Sequence, residues 1–218
     1  MPLTFVGTLD RDALIRASDA LTGLVASPEV ADAWDQESAL RGMTVGGVTR
    51  HLVSQPADAV EFLLIQPPPP HAPVVSLAEL YERTDWFAAA VDAEENTSIR
   101  DDFNEMAAGG QQDSLAILEQ ALADLPDAIA AAGDTTYVPW QDSSLVTDDF
   151  LVVRLMEIVV HADDLAASIG RPTPAFDEDV LHPALALLAM LGARRHGQDA
   201  AVRALAREER AARPAAAF

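Results

Sequence analysis

The stretch Arg154-Leu155-Met156-Glu157-Ile158-Val159-Val160-His161-Ala162-Asp163-Asp164-Leu165 reads as the middle of a buried helix. Thr147 is placed to cap it, Asp148 and Asp149 suit the positive end of its dipole, and Gly170 followed by Pro172 stops it. Val152, Val153, Leu155, Met156, Ile158, Val159, Val160 and Ala162 cover three of its sides, and a helix apolar nearly all round belongs in an interior. Yet Arg154, Glu157, His161 and Asp164 recur at spacings of three, four and three, which lines them up on one face. A charged stripe on such a helix either meets a narrow strip of solvent or lines an internal site.

Glu157 and His161, four residues apart, can converge on one ion. Two neutral imidazoles and a carboxylate form a common ligand set for a divalent metal with open positions. A second imidazole must come from another helix, and His51, at the edge of an apolar stripe, is the best candidate of the five histidines. His71 lies in a proline loop, His182 precedes Pro183, and His196 sits in an arginine-rich tail. Spacing alone leaves a plain surface salt bridge open as the alternative. Arg154 either binds a carboxylate of a ligand or pairs with Glu157 or a neighbouring acid. Asp164 either orients an imidazole or makes an ordinary structural hydrogen bond. Asp163 points elsewhere and is expected in solvent.

Working outward, helical spacing over residues 10–25 buries Leu14, Ala17, Leu21 and Leu24, with Thr8 or Asp10 as cap and Ser27-Pro28 as the end. A loop then carries Trp34 and Ser38. Thr44 caps a second helix whose stripe is Val45, Val48 and Leu52; Pro56 should kink or end it, although the pattern resumes through Val60, Leu63 and Leu64. Residues 66–73 form a stiff proline-rich connection. A third helix is expected from Ser76 through Trp86 and Ala90. The polar residues 94–112 start helical and break at Gly109-Gly110, and a fourth helix covers 113–132 with a kink at Pro126. Thr135, Thr136, Tyr137, Val138 and Trp140 suit a short extended segment. Beyond Gly170 come an apolar helix over 183–193 and an amphipathic one with Val202 and Leu205. Trp34, Trp86, Tyr137 and Trp140 read as core or pocket wall.

Half of the 218 residues are hydrophobic but only 6% aromatic, a composition that favours helix over strand. A formal charge of −21 repels phosphates and anionic lipid, so neither nucleic acid nor a membrane surface is an expected partner. The basic residues are all Arg, a codon-bias signature of a GC-rich genome. Zero cysteines exclude disulfides, thiolate metal sites and a cysteine nucleophile. Met1-Pro2-Leu3-Thr4-Phe5 lacks the character of a signal peptide, and the apolar run 185–191 falls short of a membrane span, so a cytoplasmic protein is expected.

The pattern Met43-Thr44-Val45-Gly46-Gly47-Val48-Thr49-Arg50-His51-Leu52, with Arg154-x-x-Glu157-x-x-x-His161-x-x-Asp164-Leu165, resembles the mycothiol-dependent maleylpyruvate isomerase family. That family belongs to the DinB-like helical-bundle metalloenzymes of actinobacteria. Trp34, Ser38, Arg194-Arg195-His196-Gly197 and Arg203-Ala204-Leu205 fit it too. The resemblance implies an all-α fold, a DinB-like four-helix bundle over residues 1–170, with a short helical C-terminal extension, 171–218, packed on it. The isomerase itself carries a larger C-terminal domain. The resemblance further implies that His51, Glu157 and His161 ligate a divalent metal, usually zinc.

A thiol that ligates such an ion is a nucleophile at neutral pH. With no cysteine in the chain the thiol is a cosubstrate, and the family suggests mycothiol. It is then transferred to a small electrophile or adds transiently to permit cis–trans isomerisation, with Arg154 and Asp164 as further site residues. Two other readings stand beside this one: a hydrolase using metal-bound water, and a non-catalytic bundle that binds metal, a small molecule or a protein. A monomer or a homodimer fits all three.

Overall fold

The computed structural model describes residues 2–84, 87, 93–206 and 208–210. Its helices are α1 (Ala13–Asp19), α2 (Thr22–Val25), α3 (Pro28–Ala33), α4 (Val45–Leu63), α5 (Leu77–Glu82), α6 (Glu94–Met106), α7 (Gly110–Ala131), α8 (Thr147–Ser168), α9 (Glu178–His196) and α10 (Gln198–Ala206). The only sheet among the described residues is an antiparallel hairpin of β1 (Thr135–Val138) and β2 (Ser143–Val146), in which Thr135 faces Val146 and Val138 faces Ser143. The fold is an all-α, DinB-like bundle in which α4 packs against both α7 and α8, and α1 also lies against α7 and α8.

The apolar stripes account for this packing. Leu14, Ala17 and Leu21 meet Leu52, Leu63, Leu118, Leu125, Leu151, Leu155 and Leu165 in one core, all fully buried. Each such leucine contributes about 1.5–3 kcal/mol relative to exposure. α8 is buried over most of its circumference, as its composition requires. It runs antiparallel to α4: Phe150 meets Phe62 with ring centroids 6.1 Å apart, Arg154 meets Gln55, and His161 meets His51. α9 packs on the outer side of α8. Asp177 caps α9 by accepting from the Val180 N–H, and the same carboxylate takes the Arg16 guanidinium at 2.7 Å, which ties α9 to α1.

Several boundaries differ from the pattern reading. The first helix divides into α1 and α2, and Pro28, expected to end a helix, occupies the first turn of α3, where its missing N–H is no loss. Pro56 neither ends nor interrupts α4. Thr147 does not cap α8; its hydroxyl donates to the Gly133 carbonyl at 2.7 Å and bonds to Thr136, securing the hairpin. Asp148 and Asp149 are held by residues 4–11 of the chain. Phe5 N–H and the Thr4 hydroxyl donate to Asp149, while Gly7 N–H and Arg11 donate to Asp148.

Val202 and Leu205 are 57% and 75% exposed, so the apolar face of α10 is not buried by the described residues. Trp140 is exposed, and Tyr137 donates to Asp142 at the surface rather than lining a core. Asp163 accepts from Thr173. Trp86 and the end of the expected third helix lie outside the described residues, as do Arg207 and Arg213 of the basic tail. Of that tail, Arg194 pairs with Glu82 and Arg203 with Asp199, within the protein's own acidic surface. Among the described residues no helix is long and apolar enough to cross a membrane.

Candidate metal centre

His51 owes its position to the start of α4. Thr44 caps the helix by accepting from the Gly47 N–H at 2.9 Å. Gly46 lets the Trp34 ring lie directly on the helix backbone: a Cβ there would stand 2.6 Å from Trp34 Cε2. Gly47 gives the same close approach to Asn104 of α6. The Asn104 carboxamide accepts from Thr44 N–H at 2.9 Å and donates to the Gly42 carbonyl at 3.0 Å. This junction sets α6 against α4 and brings the Phe103 ring to 4.2 Å from the His51 imidazole, centroid to centroid.

On its other face the His51 ring meets His161, also at 4.2 Å. His161 Nε2 lies 3.1 Å from Glu157 Oε2, and His51 Nε2 lies 3.9 Å from the same oxygen. One donor atom from each of the three falls within 4.8 Å of the other two. Their side chains are 14–17% exposed, so the cluster is sheltered without being sealed. Behind it, His161 Nδ1 lies 3.0 Å from Asp164 Oδ2.

The charges are unequal. Burial, reinforced by the positive charges of His161 and Arg154, lowers the His51 pKa to about 3, so that imidazole is neutral. Its 3.9 Å approach to Glu157 is therefore proximity and not an ion pair. Burial pushes Glu157 up, but the His161 hydrogen bond and the charges of His161 and Arg154 outweigh it and bring it to about 2. Burial also opposes charge on His161, yet its hydrogen bonds to Asp164 and Glu157 raise it to about 9. Without a metal, then, the cluster already stabilises one positive charge, as a proton on His161. That is the electrostatics of a cation site, and two imidazoles with one carboxylate are the donor types of divalent transition metals.

Arg154 lies one turn away, 8% exposed. It makes no ion pair with Glu157 among the described residues; its Nη1 donates to Gln55 Oε1 at 2.8 Å and its guanidinium covers the Phe150 ring.

The sequence model of the mycothiol maleylpyruvate isomerase N-terminal domain matches residues 14–166. The chain belongs to this family. Searches of curated proteins and of solved structures returned no match. The segment shared with the mycothiol maleylpyruvate isomerase N-terminal domain runs from α1 into the last turn of α8, so it includes His51, Arg154, Glu157, His161 and Asp164. α9 and α10 lie beyond it.

All five residues singled out from the sequence of this family member are brought to one region of the α4–α8 interface. The pattern reading did not find Phe103, Asn104 or Gln55. Only the polar character of residues 94–112 marked that segment, and a polar helix that covers a site resembles any solvated one.

Proposed function

We propose that this member of the mycothiol maleylpyruvate isomerase family is a metal-dependent enzyme with a low-molecular-weight thiol, mycothiol, as cosubstrate. The thiol is transferred to a small electrophile, or adds to it transiently so that a double bond isomerises. The observation that carries this reading is the convergence of His51, Glu157 and His161 within 4.8 Å, inside the segment that defines the family. Zinc is the metal this donor set favours.

Bound there, a divalent ion supplies Lewis acidity that keeps a thiol deprotonated at neutral pH. The chain's own residues do the rest. Neutral His51 offers a lone pair without first losing a proton. Ionised Glu157 leaves a net positive charge on a divalent ion. Asp164 accepts from His161 Nδ1–H and so turns Nε2 toward the ion. Phe103 covers one face of His51 and keeps water from it. Among the described residues only three such side chains come together, which fits a centre with open positions better than a structural site closed by four. Arg154 is positioned to meet the polar end of a substrate or cosubstrate. Residues 1–170 would form the metal-holding unit and 171–218 the extension packed on it, in a cytoplasmic protein supplied with reduced thiols.

Elemental analysis of protein purified without a metal-affinity tag tests the centre. Near-stoichiometric zinc in the parent and its loss in His161→Ala are expected, followed by turnover of electrophiles that requires mycothiol. A parent that takes up no metal after incubation with zinc would sink the reading. Turnover without thiol would replace it with hydrolysis.

A further inference from the structure

Helix α9 has the sequence of an interior helix and the place of an outer one. From Val180 to Ala193 its only polar side chain is His182, and a helix apolar nearly all round belongs in an interior. Val180, Ala184, Leu187 and Leu191 are buried against the bundle. Leu185, however, is 53% exposed, and Leu181, Leu188, Ala189 and Met190 are only partly covered. Beside Leu185, between α9 and α8, runs an open groove of about 490 Å³ walled by Val159, Val160, Phe176, Leu181 and Leu188. Asp163, its one charged wall residue, is engaged by the Thr173 hydroxyl.

A small apolar ligand would fill that groove and leave Leu185 in water. A second copy of the chain covers both, because a two-fold interface uses one patch twice and needs a projection and a recess side by side. Leu185 is the projection: it lies on α9 between Leu181 and Leu188, at the rim of the recess they line. The charges of α9 are self-complementary in the same way. Its first turn carries Glu178 and Asp179, and its last turn carries Arg194, Arg195 and His196. A two-fold axis beside Leu185 runs the two copies of α9 antiparallel and brings the acidic end of each toward the basic end of the other. A face as long as the 19 residues of α9, about 28 Å, and two helices or about 20 Å wide offers roughly 560 Å² per copy. Two such faces reach the roughly 1,000 Å² a specific interface needs, at the small end of the range.

We propose that the outer face of α8 and α9 is the interface of a symmetric homodimer in which Leu185 of each copy enters the groove of the other. The His51, Glu157 and His161 cluster stays uncovered in such a pair. Val159 and Asp163 each lie two residues from His161, which on a helix turns them to the side opposite Glu157 and His161. The dimer therefore stands whether or not that cluster holds an ion.

The test is sedimentation velocity of the full chain from about 1 to about 100 µM, the range expected of a small interface. Salt of about 0.15 M, with a Debye length of about 8 Å, screens the repulsion between two copies of formal charge −21. A concentration-dependent shift from monomer to dimer is expected. Leu185→Asp, which drives a charge into each apolar groove, should weaken the dimer about tenfold or more with circular dichroism unchanged. Glu178→Arg, at the exposed acidic end of α9, is an independent probe and should weaken it about two- to fivefold. Trp140→Asp, on the hairpin and as exposed as Leu185, should leave it unaltered. A chain that stays monomeric at about 100 µM would overturn the proposal, as would a dimer that Leu185→Asp leaves intact. A monomer whose uptake of anilinonaphthalene sulfonate is lost in Leu185→Asp would overturn it in favour of a small apolar ligand.

Discussion

His161 Nδ1 stands 3.0 Å from Asp164 Oδ2, one turn along the same helix. The contact turns Nε2 toward Glu157 and His51, and once the imidazole is neutral it keeps the remaining hydrogen on Nδ1. Carboxylates placed behind a ligating imidazole raise its basicity and hold its ring plane. Asp164→Ala is expected to weaken zinc binding about 10–100-fold in a chelator competition, and Asp164→Asn, which keeps an acceptor, to recover part of the loss. Equal affinities in all three proteins would reduce Asp164 to a structural hydrogen bond.

The two histidines of the proposed metal centre differ in protonation state. His161, raised to about 9, is protonated in metal-free protein at pH 7, whereas His51, lowered to about 3, is already neutral. Zinc binding at pH 7 should therefore release about one proton from the protein, counted by calorimetry in buffers of different ionisation enthalpy. The count should fall toward zero as the pH rises past about 9. A count near two would mean that His51 is also protonated.

Stability of the metal-free protein follows from His161 and Glu157, with opposite signs on its two limbs. His161 is raised in the folded state, so its contribution is complete below its unfolded value of 6.5 and disappears as the pH climbs through about 9. Glu157 is depressed, so its contribution is present above 4.5 and is lost as the pH falls through about 2. Urea unfolding should show an alkaline decline of up to about 3 kcal/mol between pH 6 and pH 10. That limb should be absent in His161→Ala, and its persistence there would assign it to another group.

Gly46→Ala tests how closely Trp34 is seated. The new methyl would stand 2.6 Å from the ring, which must slide and give up the bond from Trp34 Nε1 to the Ala107 carbonyl at 3.2 Å. A loss of about 1–3 kcal/mol is expected from denaturant unfolding. Alanine in place of the exposed Gly23, where an added Cβ meets nothing within 4 Å, should cost far less.

What the sequence disclosed, and what it withheld, divides along physical lines. Helical periodicity exposed α8 and α4 because burying an apolar face demands a regular pattern. Glu157 and His161 were visible because four residues on a helix is a fixed geometry. His51 was reachable because it borders a stripe. Phe103 and Asn104 were not, since their partners are 52 and 60 residues away, at His51 and Thr44, and no local pattern records such a contact. Asp148 and Asp149 were read as dipole partners, a sound local inference that missed residues 4–11 because those lie more than 130 residues distant. Ser27-Pro28 does follow the end of α2, but the same ring also opens α3, a second use that a helix-stop signal does not record.

The grip of residues 4–11 on Asp148 and Asp149 sets the order in which a chain under synthesis can be finished. Thr4 and Arg11 leave the ribosome 145 and 137 residues ahead of the carboxylates they bind. Until α8 follows, His51 has neither Glu157 nor His161 beside it. A nascent chain of any shorter length thus carries one of the three clustered donors, His51, without the other two. On the proposed metal centre, metal acquisition is confined to molecules whose bundle is already closing, because a chain halted before residue 147 lacks two of the three donors.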